Sequence, residues 1–280
     1  MKRKTVAVLF GGHSTEYAVS LQSACSVIEN LDTEKYDVIL LGITRQGEWL
    51  KYGGGTEQIR NDTWSGHESC VPAVISPDRN LHGILVLEDG TVTKIPIDAA
   101  FPVLHGKNGE DGTVQGLLEM AGIPCVGCGI LSSALCMDKD FAHRLIRLAG
   151  IKTPAGIVLY SKLPEAELRE RTALLRYPLF VKPANAGSSF GITKVYDIDN
   201  LASAAETAFQ HDRKVIVEEA VAGFEVGCAV LGNETLTIGE IDEIELSRGF
   251  FDYTEKYTLK TSKIHMPARI DEGTAERVRQ

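Results

Sequence analysis

The chain reads as α/β, a parallel sheet with helices on both sides, followed by a smaller α+β unit and the start of a third domain. Three observations predict this. The apolar run 5–10 is followed by Gly11-Gly12 and then by Leu21, Ala24, Cys25 and Ile28 at helical spacing, a strand, glycine turn and helix in succession. Further strand patterns then alternate with helical ones, the signature of a parallel sheet. Downstream, the short apolar run 179–181 ends on Lys182 and enters a small-residue stretch from Gly187 to Gly191.

Taken in order, residues 37–43 predict a second strand, 99–104 a third and 114–121 a helix, with a further strand starting at Cys125. Residues 52–67 are rich in Gly, Asn, Asp and Ser and are expected to form a surface loop. Within 81–96, Asp89-Gly90 separates two alternating runs and predicts a β-hairpin. A domain boundary is expected near 131–139. Beyond it come a helix through Leu145, Leu148 and Ala149 stopped by Gly150, and strands near 156–159, 179–181 and 192–195. Asp199-Asn200 opens a helix carrying Leu201, Ala204, Ala205, Ala208 and Phe209 on one face. Strand 215–218 and the pair 226–231 and 236–245 follow. This organisation gives domains of 1–135, 136–218 and 219–280. A helix opening at Glu272 and running through Ala275 and Val278 reaches the last residue, Gln280, so the third domain is expected to be incomplete.

With 280 residues, 44% hydrophobic and 24% charged, the chain can bury more than one core. Its net charge of −9 and the lack of a basic stripe exclude nucleic acid as an expected partner. The basic start Met1-Lys-Arg-Lys precedes an apolar run too short for a signal peptide and broken at Gly11-Gly12. No window reaches the roughly 18 apolar residues of a membrane span. A cytoplasmic protein without a membrane partner is therefore expected. Of six cysteines, Cys125 and Cys128 have CxxC spacing, but no second such pair accompanies them, so no zinc or redox role is expected. Cys25, Cys70, Cys136 and Cys228 read as small core residues.

The stretch 178–194 carries the chemistry. Small residues let backbone N–H groups approach phosphate oxygens, and Lys182 adds a point charge. Gly11-Gly12 competes as a phosphate loop but lacks the GxGxxG spacing, and no GxxxxGK[ST] occurs anywhere.

Five segments in order resemble one known family: Gly11-Gly-His-Ser-Thr-Glu-Tyr-Ala-Val-Ser-Leu21, Leu104-His-Gly-Lys-Asn-Gly-Glu-Asp-Gly-Thr-Val-Gln-Gly116, Ser133-Ala-Leu-Cys-Met-Asp-Lys139, the Lys182 loop, and Phe251-Asp-Tyr-Thr-Glu-Lys-Tyr257. Together they resemble the D-alanine:D-alanine ligases, and most nearly the D-alanine:D-serine ligases of VanG-type vancomycin resistance. The resemblance implies an ATP-grasp fold preceded by a Rossmann-like domain, with the C-terminal ATP-grasp half truncated. It implies ATP and two Mg²⁺ ions, and transfer of the γ-phosphoryl to the carboxylate of a first D-alanine. The amine of D-serine or of a second D-alanine then attacks the acylphosphate, in peptidoglycan precursor synthesis or vancomycin resistance. Catalysis of this kind is mainly positioning and charge neutralisation.

By the same resemblance, Lys139 and Lys182 bind phosphates, and Ser188 and Ser189 belong to the loop covering them. Glu218, Glu219 and Val221 form the adenine hinge, and Glu225 accepts from the ribose hydroxyls. Glu16 recognises the ammonium of the first D-alanine and His105 lies near its carboxylate. Lys256 and Tyr257 belong to a closing loop that excludes water. Each has a plainer reading: Glu16 as a helix-start carboxylate, His105 as a structural histidine, Lys139 and Glu218 as solvated charges.

The Lys-Tyr pair at 256–257 argues for an amine acceptor. Asp242 is the candidate partner of a D-serine hydroxyl, with Phe251 shaping the pocket. The family's metal ligands have no counterpart before Gln280, so no metal ligand is assigned and this chain alone is expected to be inactive. A homodimer is expected from the resemblance. The alternatives are a D-alanine:D-alanine ligase of ordinary cell-wall synthesis, another ATP-grasp carboxylate–amine ligase, and a non-catalytic ATP-binding fragment.

Overall fold

The computed structural model describes residues 2–187, 190–245 and 263–280, which build three sheets in chain order. The first has seven strands: β1 (Lys4–Gly11), β2 (Tyr36–Ile43), β3 (Trp49–Tyr52), β4 (Val71–Ile75), β5 (Gly83–Glu88), β6 (Thr91–Pro96) and β7 (Ala99–Pro102). Their spatial order is β6-β5-β4-β3-β2-β1-β7. β1 lies at the parallel centre, paired with β2 on one side and β7 on the other. Its run from Val6 to Phe10 is buried throughout, the continuous apolar pattern of a strand covered on both faces.

The two faces of β1 feed two cores. Ala7 and Leu9 pack with Leu41, Ile84 and Leu118, the last from helix α3 (Thr113–Ala121). Val8 and Phe10 pack with Tyr17, Leu21 and Ala24 of helix α1 (Tyr17–Asn30). Helices therefore cover both sides, as the alternating pattern predicts. The parallel part covers three strands only. β3 to β6 extend it as an antiparallel meander, of which the sequence pattern predicts the β5–β6 hairpin but not β3 and β4. At the hairpin, Asp89 and Gly90 both take positive φ, as a two-residue turn of this kind requires.

Two expectations in this region are corrected. Cys125 starts no strand and makes a single bridge to Ala100, because Pro124 and Gly127 leave too few residues with ladder geometry on either side. Residues 52–67 are not a surface loop. They carry helix α2 (Thr56–Arg60) and a 3₁₀ turn, and Tyr52, Ile59 and Trp64 are buried. The loop-forming glycines, with Asn61 and Asp62, mask three large apolar anchors. The Trp64 ring stands 4.8 Å from that of Phe10 and 6.0 Å from that of Tyr52, both edge-on. Its Nε1 donates to Tyr17 Oη at 2.9 Å, and Tyr17 donates in turn to Asp62 at 2.9 Å. Burial is the main reason the Tyr17 phenol is pushed up to about 12. Gly42 on β2 makes room for the indole, since a Cβ there would lie 2.3 Å from it. Of the four cysteines read as core, Cys25 is buried, Cys70 and Cys228 are half-buried and Cys136 is exposed, which corrects the reading for Cys136.

Helices α4 (Ile130–Met137) and α5 (Lys139–Leu148) lead to the second sheet, ordered β10-β9-β11-β8. It comprises β8 (Gly156–Leu159), β9 (Leu179–Pro183), β10 (Thr193–Val195) and β11 (Val215–Glu219), all antiparallel. Helices α6 (Glu165–Arg171) and α7 (Leu201–Ala208) cover one face through Leu168, Leu201 and Ala204, packed on Leu179, Val181, Val215 and Val217. Because side chains alternate along a strand, Phe180, Lys182, Ile216 and Glu218 occupy the opposite face. The sequence pattern does not predict α6, which is charged with only Leu168 buried.

The third sheet joins β12 (Glu225–Gly232), β13 (Leu236–Glu245) and β14 (Lys263–His265). Glu243, 4% exposed, receives the Arg269 guanidinium at 2.6 Å and the Arg269 backbone N–H at 2.9 Å. The helix Glu272–Arg279 follows, capped by Asp271.

Two outcomes follow from this packing. Trp64→Ala should cost about 3–5 kcal/mol of unfolding free energy in a denaturant titration, the usual penalty for emptying an aromatic core site. The Arg269 hydrogen bonds hold the Glu243 carboxyl down from 4.5 to about 2. Its contribution is therefore complete above the unfolded value near 4.5 and is lost as pH falls toward 2. Urea midpoints measured across that window should show Glu243→Gln less stable than the parent at neutral pH and converging with it at the acid end.

Candidate functional site

The open face of the second sheet carries a buried ion pair. Lys182 on β9 and Glu218 on β11 face one another, and Lys182 Nζ donates to Glu218 Oε1. β9 and β11 are adjacent antiparallel strands in which Lys182 pairs with Ile216 and Phe180 with Glu218, so the two charges share one face as diagonal neighbours within side-chain reach. Their side chains are 15% and 7% exposed, and the second carboxylate oxygen, Glu218 Oε2, has no hydrogen-bond partner among the described residues. It borders a cavity of about 500 Å³ lined by Asp140, His143, Arg147, Tyr160 and Ile216.

His143, one turn into α5, stands 3.7 Å from that oxygen. Burial lowers its pKa from 6.5; Lys182, Arg147 and Lys139 push the same way and Glu218 opposes them. Neutral imidazole therefore faces Glu218 at pH 7.

Lys139 is the first residue of α5. The helix begins there because Asp138 caps it, accepting from the backbone N–H groups of Asp140 at 3.0 Å and Phe141 at 3.2 Å. The Lys139 N–H donates to Ala184 at 3.0 Å and its Nζ to Ala186 at 2.5 Å. The loop that follows Lys182 is thus tied to the helix bearing the second lysine.

That loop continues to Gly187, where it meets the first sheet. Glu16, at the start of α1, is 3% exposed. A Cβ on Gly187 would lie 2.7 Å from its carboxylate, and one on Gly106 would lie 2.0 Å away. Both glycines are needed for this approach, and Gly106 also takes a φ of +70°. Ser14 holds the corner by donating to the His105 carbonyl at 2.8 Å and accepting from the Glu16 N–H at 3.0 Å. The competing Gly11-Gly12 pair serves the packing instead. Gly11 sits where a Cβ would lie 2.2 Å from the Ile43 carbonyl, and its N–H donates to Ser20 at 2.8 Å.

His105 follows β7 and its Nε2 lies 3.0 Å from Ser23 Oγ of α1. A cavity of about 480 Å³ opens beside it, bordered by Gln115, Ser133, Cys136 and Met137. Cys136 is exposed because it lines this space.

The remaining assignments are more scattered. Glu219 points to the helix-covered side of its strand and is held by Arg176, whose backbone N–H donates to it at 2.9 Å and whose guanidinium does so at 3.2 Å. Val221 is 73% exposed in the connection to the third sheet, and Glu225 is exposed at the start of β12. Asp242 on β13 lies opposite Gly227, where an added Cβ would come within 2.8 Å of its carboxylate. Ser188, Ser189, Phe251, Lys256 and Tyr257 lie outside the described residues. Among those described, no three His, Cys, Asp or Glu side chains gather into a group suited to a metal ion, and no helix is long and apolar enough to cross a membrane.

The sequence does not single out His143, Ser23 or Asp138. Asp138 carries a usable signal, a helix-capping residue immediately before a basic helix start. His143 and Ser23 carry none, since their positions depend on strands and loops distant in sequence.

Comparison with known proteins gives the family. Residues 5–128 match the model described as D-ala D-ala ligase N-terminus and residues 145–280 the one described as D-ala D-ala ligase C-terminus. A D-alanine–D-alanine ligase of Caldicellulosiruptor bescii is 45% identical, over 100% of this chain and 77% of its own length. The vancomycin/teicoplanin A-type resistance protein VanA of Enterococcus faecium is 46% identical, over 90% of this chain and 70% of its own length. Among solved structures, the VanG D-Ala:D-Ser ligase of Enterococcus faecalis is 57% identical with a TM-score of 0.88, over 99% of this chain and 80% of that one.

Lys182→Met strands a buried carboxylate and should cost about 3–5 kcal/mol, whereas Lys182→Met combined with Glu218→Gln should recover most of that loss. Denaturant titration of the two single variants and the double variant checks it.

Proposed function

We propose, from the premise that this chain belongs to the D-alanine–D-alanine ligase family of ATP-dependent ligases, that it joins D-alanine to a second D-amino acid and takes D-serine ahead of D-alanine. The observation that carries the ligation reading is the meeting of Glu16 with Gly187. A buried carboxylate at the start of α1, suited to an amino acid's ammonium, is pressed against the loop that leaves the Lys182 strand. The D-serine reading is supported by the 57% identity to the VanG D-Ala:D-Ser ligase. The D-alanine–D-alanine ligase reading is the second one, favoured by the relative at 45% identity.

In this proposal the γ-phosphoryl group passes from ATP to a carboxylate oxygen of the first D-alanine and ADP leaves. The amine nitrogen of the second amino acid attacks the carbonyl carbon, the bond from that carbon to the phosphate oxygen breaks, and phosphate and a proton are released. Lys139 and Lys182 offset the phosphate charge, which costs less where their ammonium groups are already held. Glu218 keeps Lys182 in place with one oxygen and offers the other, unpartnered one to an N–H donor such as the adenine amine. Glu16 orients the first D-alanine through its ammonium and His105 lies toward its carboxylate. Glu225 accepts from the ribose, with Glu219 and Val221 in the hinge. Because the Glu219 side chain is engaged by Arg176 and its N–H donates to the Ala155 carbonyl, its backbone carbonyl is the part offered. Ser188, Ser189, Lys256 and Tyr257 cover the site and exclude water. Mg²⁺ would accompany ATP and shield its phosphate charge; among the described residues no three His, Cys, Asp or Glu side chains gather to hold it.

Asp242 accepts from the D-serine hydroxyl and Phe251 shapes that pocket. The domains divide as 1–135, 136–218 and 219–280, the protein is a homodimer, and its place is the cytoplasm, where ATP and peptidoglycan precursors meet.

Acceptor choice is read on a protein extended to its relatives' full length, since this chain spans 77% of one of them, by supplying ATP, Mg²⁺, D-alanine and equimolar D-serine and separating the dipeptides by mass. D-alanyl-D-serine should dominate, and Asp242→Ala should lower its ratio to D-alanyl-D-alanine by about tenfold, since a site built around a hydroxyl loses discrimination when its partner is removed. A D-alanyl-D-alanine product alone would overturn the D-serine reading, and an unchanged ratio in Asp242→Ala would overturn the role of that residue.

A further inference from the structure

We infer that Lys214 is a positioning residue for the phosphate site: it neutralises the two carboxylates flanking Lys139 and locks the loop after Lys182 onto α5. The inference rests on the proposal that Lys139 meets phosphate. Lys139 stands between Asp138 and Asp140, both buried. Two carboxylates beside a phosphate-binding lysine work against it in two ways, by attracting its ammonium and by opposing an approaching polyanion.

Lys214, immediately before β11, answers both. Its Nζ donates to Asp138 Oδ2 and lies 3.5 Å from Asp140 Oδ2. The side chain is 12% exposed, and the ammonium sits 4.6 Å from the centroid of the Phe141 ring. Arg144 supplies Asp140 with a second cation at 2.7 Å. Both carboxylates are thus occupied by cations other than Lys139, whose Nζ donates to the Ala186 carbonyl instead.

The backbone of the same residue completes the lock. The Lys214 carbonyl accepts from Ala184 N–H at 2.8 Å, and the Ala184 carbonyl accepts from Lys139 N–H at 3.0 Å. Two residues earlier, Asp212 accepts from the Asn185 backbone at 2.8 Å and from its side chain at 2.9 Å. The segment 212–214 therefore grips both sides of the bend between Lys182 and Gly187. Of these contacts, only the ammonium's contacts with Asp138, Asp140 and Phe141 depend on the Lys214 side chain, so substitution isolates its electrostatic part.

The test measures binding of a non-hydrolysable ATP analogue by calorimetry, together with thermal midpoints and the separate KM values for ATP and D-alanine. Lys214→Met should weaken analogue binding by about tenfold and raise the ATP KM by a similar factor, while the D-alanine KM stays within about twofold. Lys214→Arg, which keeps the charge, should stay within about twofold of the parent in all three. Should Lys214→Met fail to fold, Lys214→Gln, which keeps a donor for Asp138 but not the charge, carries the same expectation, and Lys214→Met with Asp138→Asn, which removes one uncompensated charge while keeping the helix cap, should recover most of the lost analogue binding. A lowered thermal midpoint with analogue binding unchanged would overturn the inference and leave Lys214 a stabilising residue alone. Lys139→Ala separates the underlying proposal: binding unchanged in that variant would remove the phosphate role of Lys139, and with it the inference, whereas weakened binding there beside normal binding in Lys214→Met would overturn the inference alone.

Discussion

One buried carboxylate organises the junction between the first two sheets. Glu16 is buried where the loop after β7 and the loop after β9 close on it, and two glycines without side chains make the approach. A carboxylate held in that position is suited to a cationic group brought by a ligand. It also links two sheets: the corner around Ser14 and His105 belongs to the first and Gly187 to the second, so a ligand touching Glu16 sits where the two meet.

The second sheet extends the same principle to charges of the opposite sign. Its helix-covered face is apolar through Leu179, Val181, Val215 and Val217, while alternation alone sends Lys182 and Glu218 to the open face. Glu218 anchors the Lys182 Nζ there, and the Lys139 Nζ at the start of α5 is anchored on the Ala186 carbonyl in the loop that follows Lys182. Preorganised cations of this kind lower the cost of gathering phosphate charge, since little rearrangement is left to occur on binding.

Much of this is legible in the sequence where information is local. The apolar run of β1, the Asp89-Gly90 turn, the α7 stripe and the Lys182 strand can be read within a residue or two, because periodicity and turn chemistry act over short spans. Trp64 escapes such reading because its neighbours are loop formers and its partners, Phe10, Gly42 and Tyr52, lie on three different strands. β3 and β4 are short and become strands only by pairing with β2 and β5. At the site, Lys139, Lys182, Glu218, Glu16 and His105 are found by resemblance, whereas their supports, Asp138, His143, Ser23 and Lys214, come from the fold. Glu219 marks the limit of local information: it adjoins Glu218 in sequence but points to the other face, toward Arg176.

The central claim is that this protein activates the carboxylate of D-alanine by phosphorylating it. D-alanine labelled with ¹⁸O in both carboxylate oxygens, turned over with ATP and an acceptor D-amino acid, tests it directly by mass analysis of the phosphate released. One ¹⁸O atom should appear in each phosphate, carried across when the acylphosphate bond breaks. Phosphate free of ¹⁸O in a reaction that still forms dipeptide would contradict carboxylate phosphorylation and require another route to the amide bond.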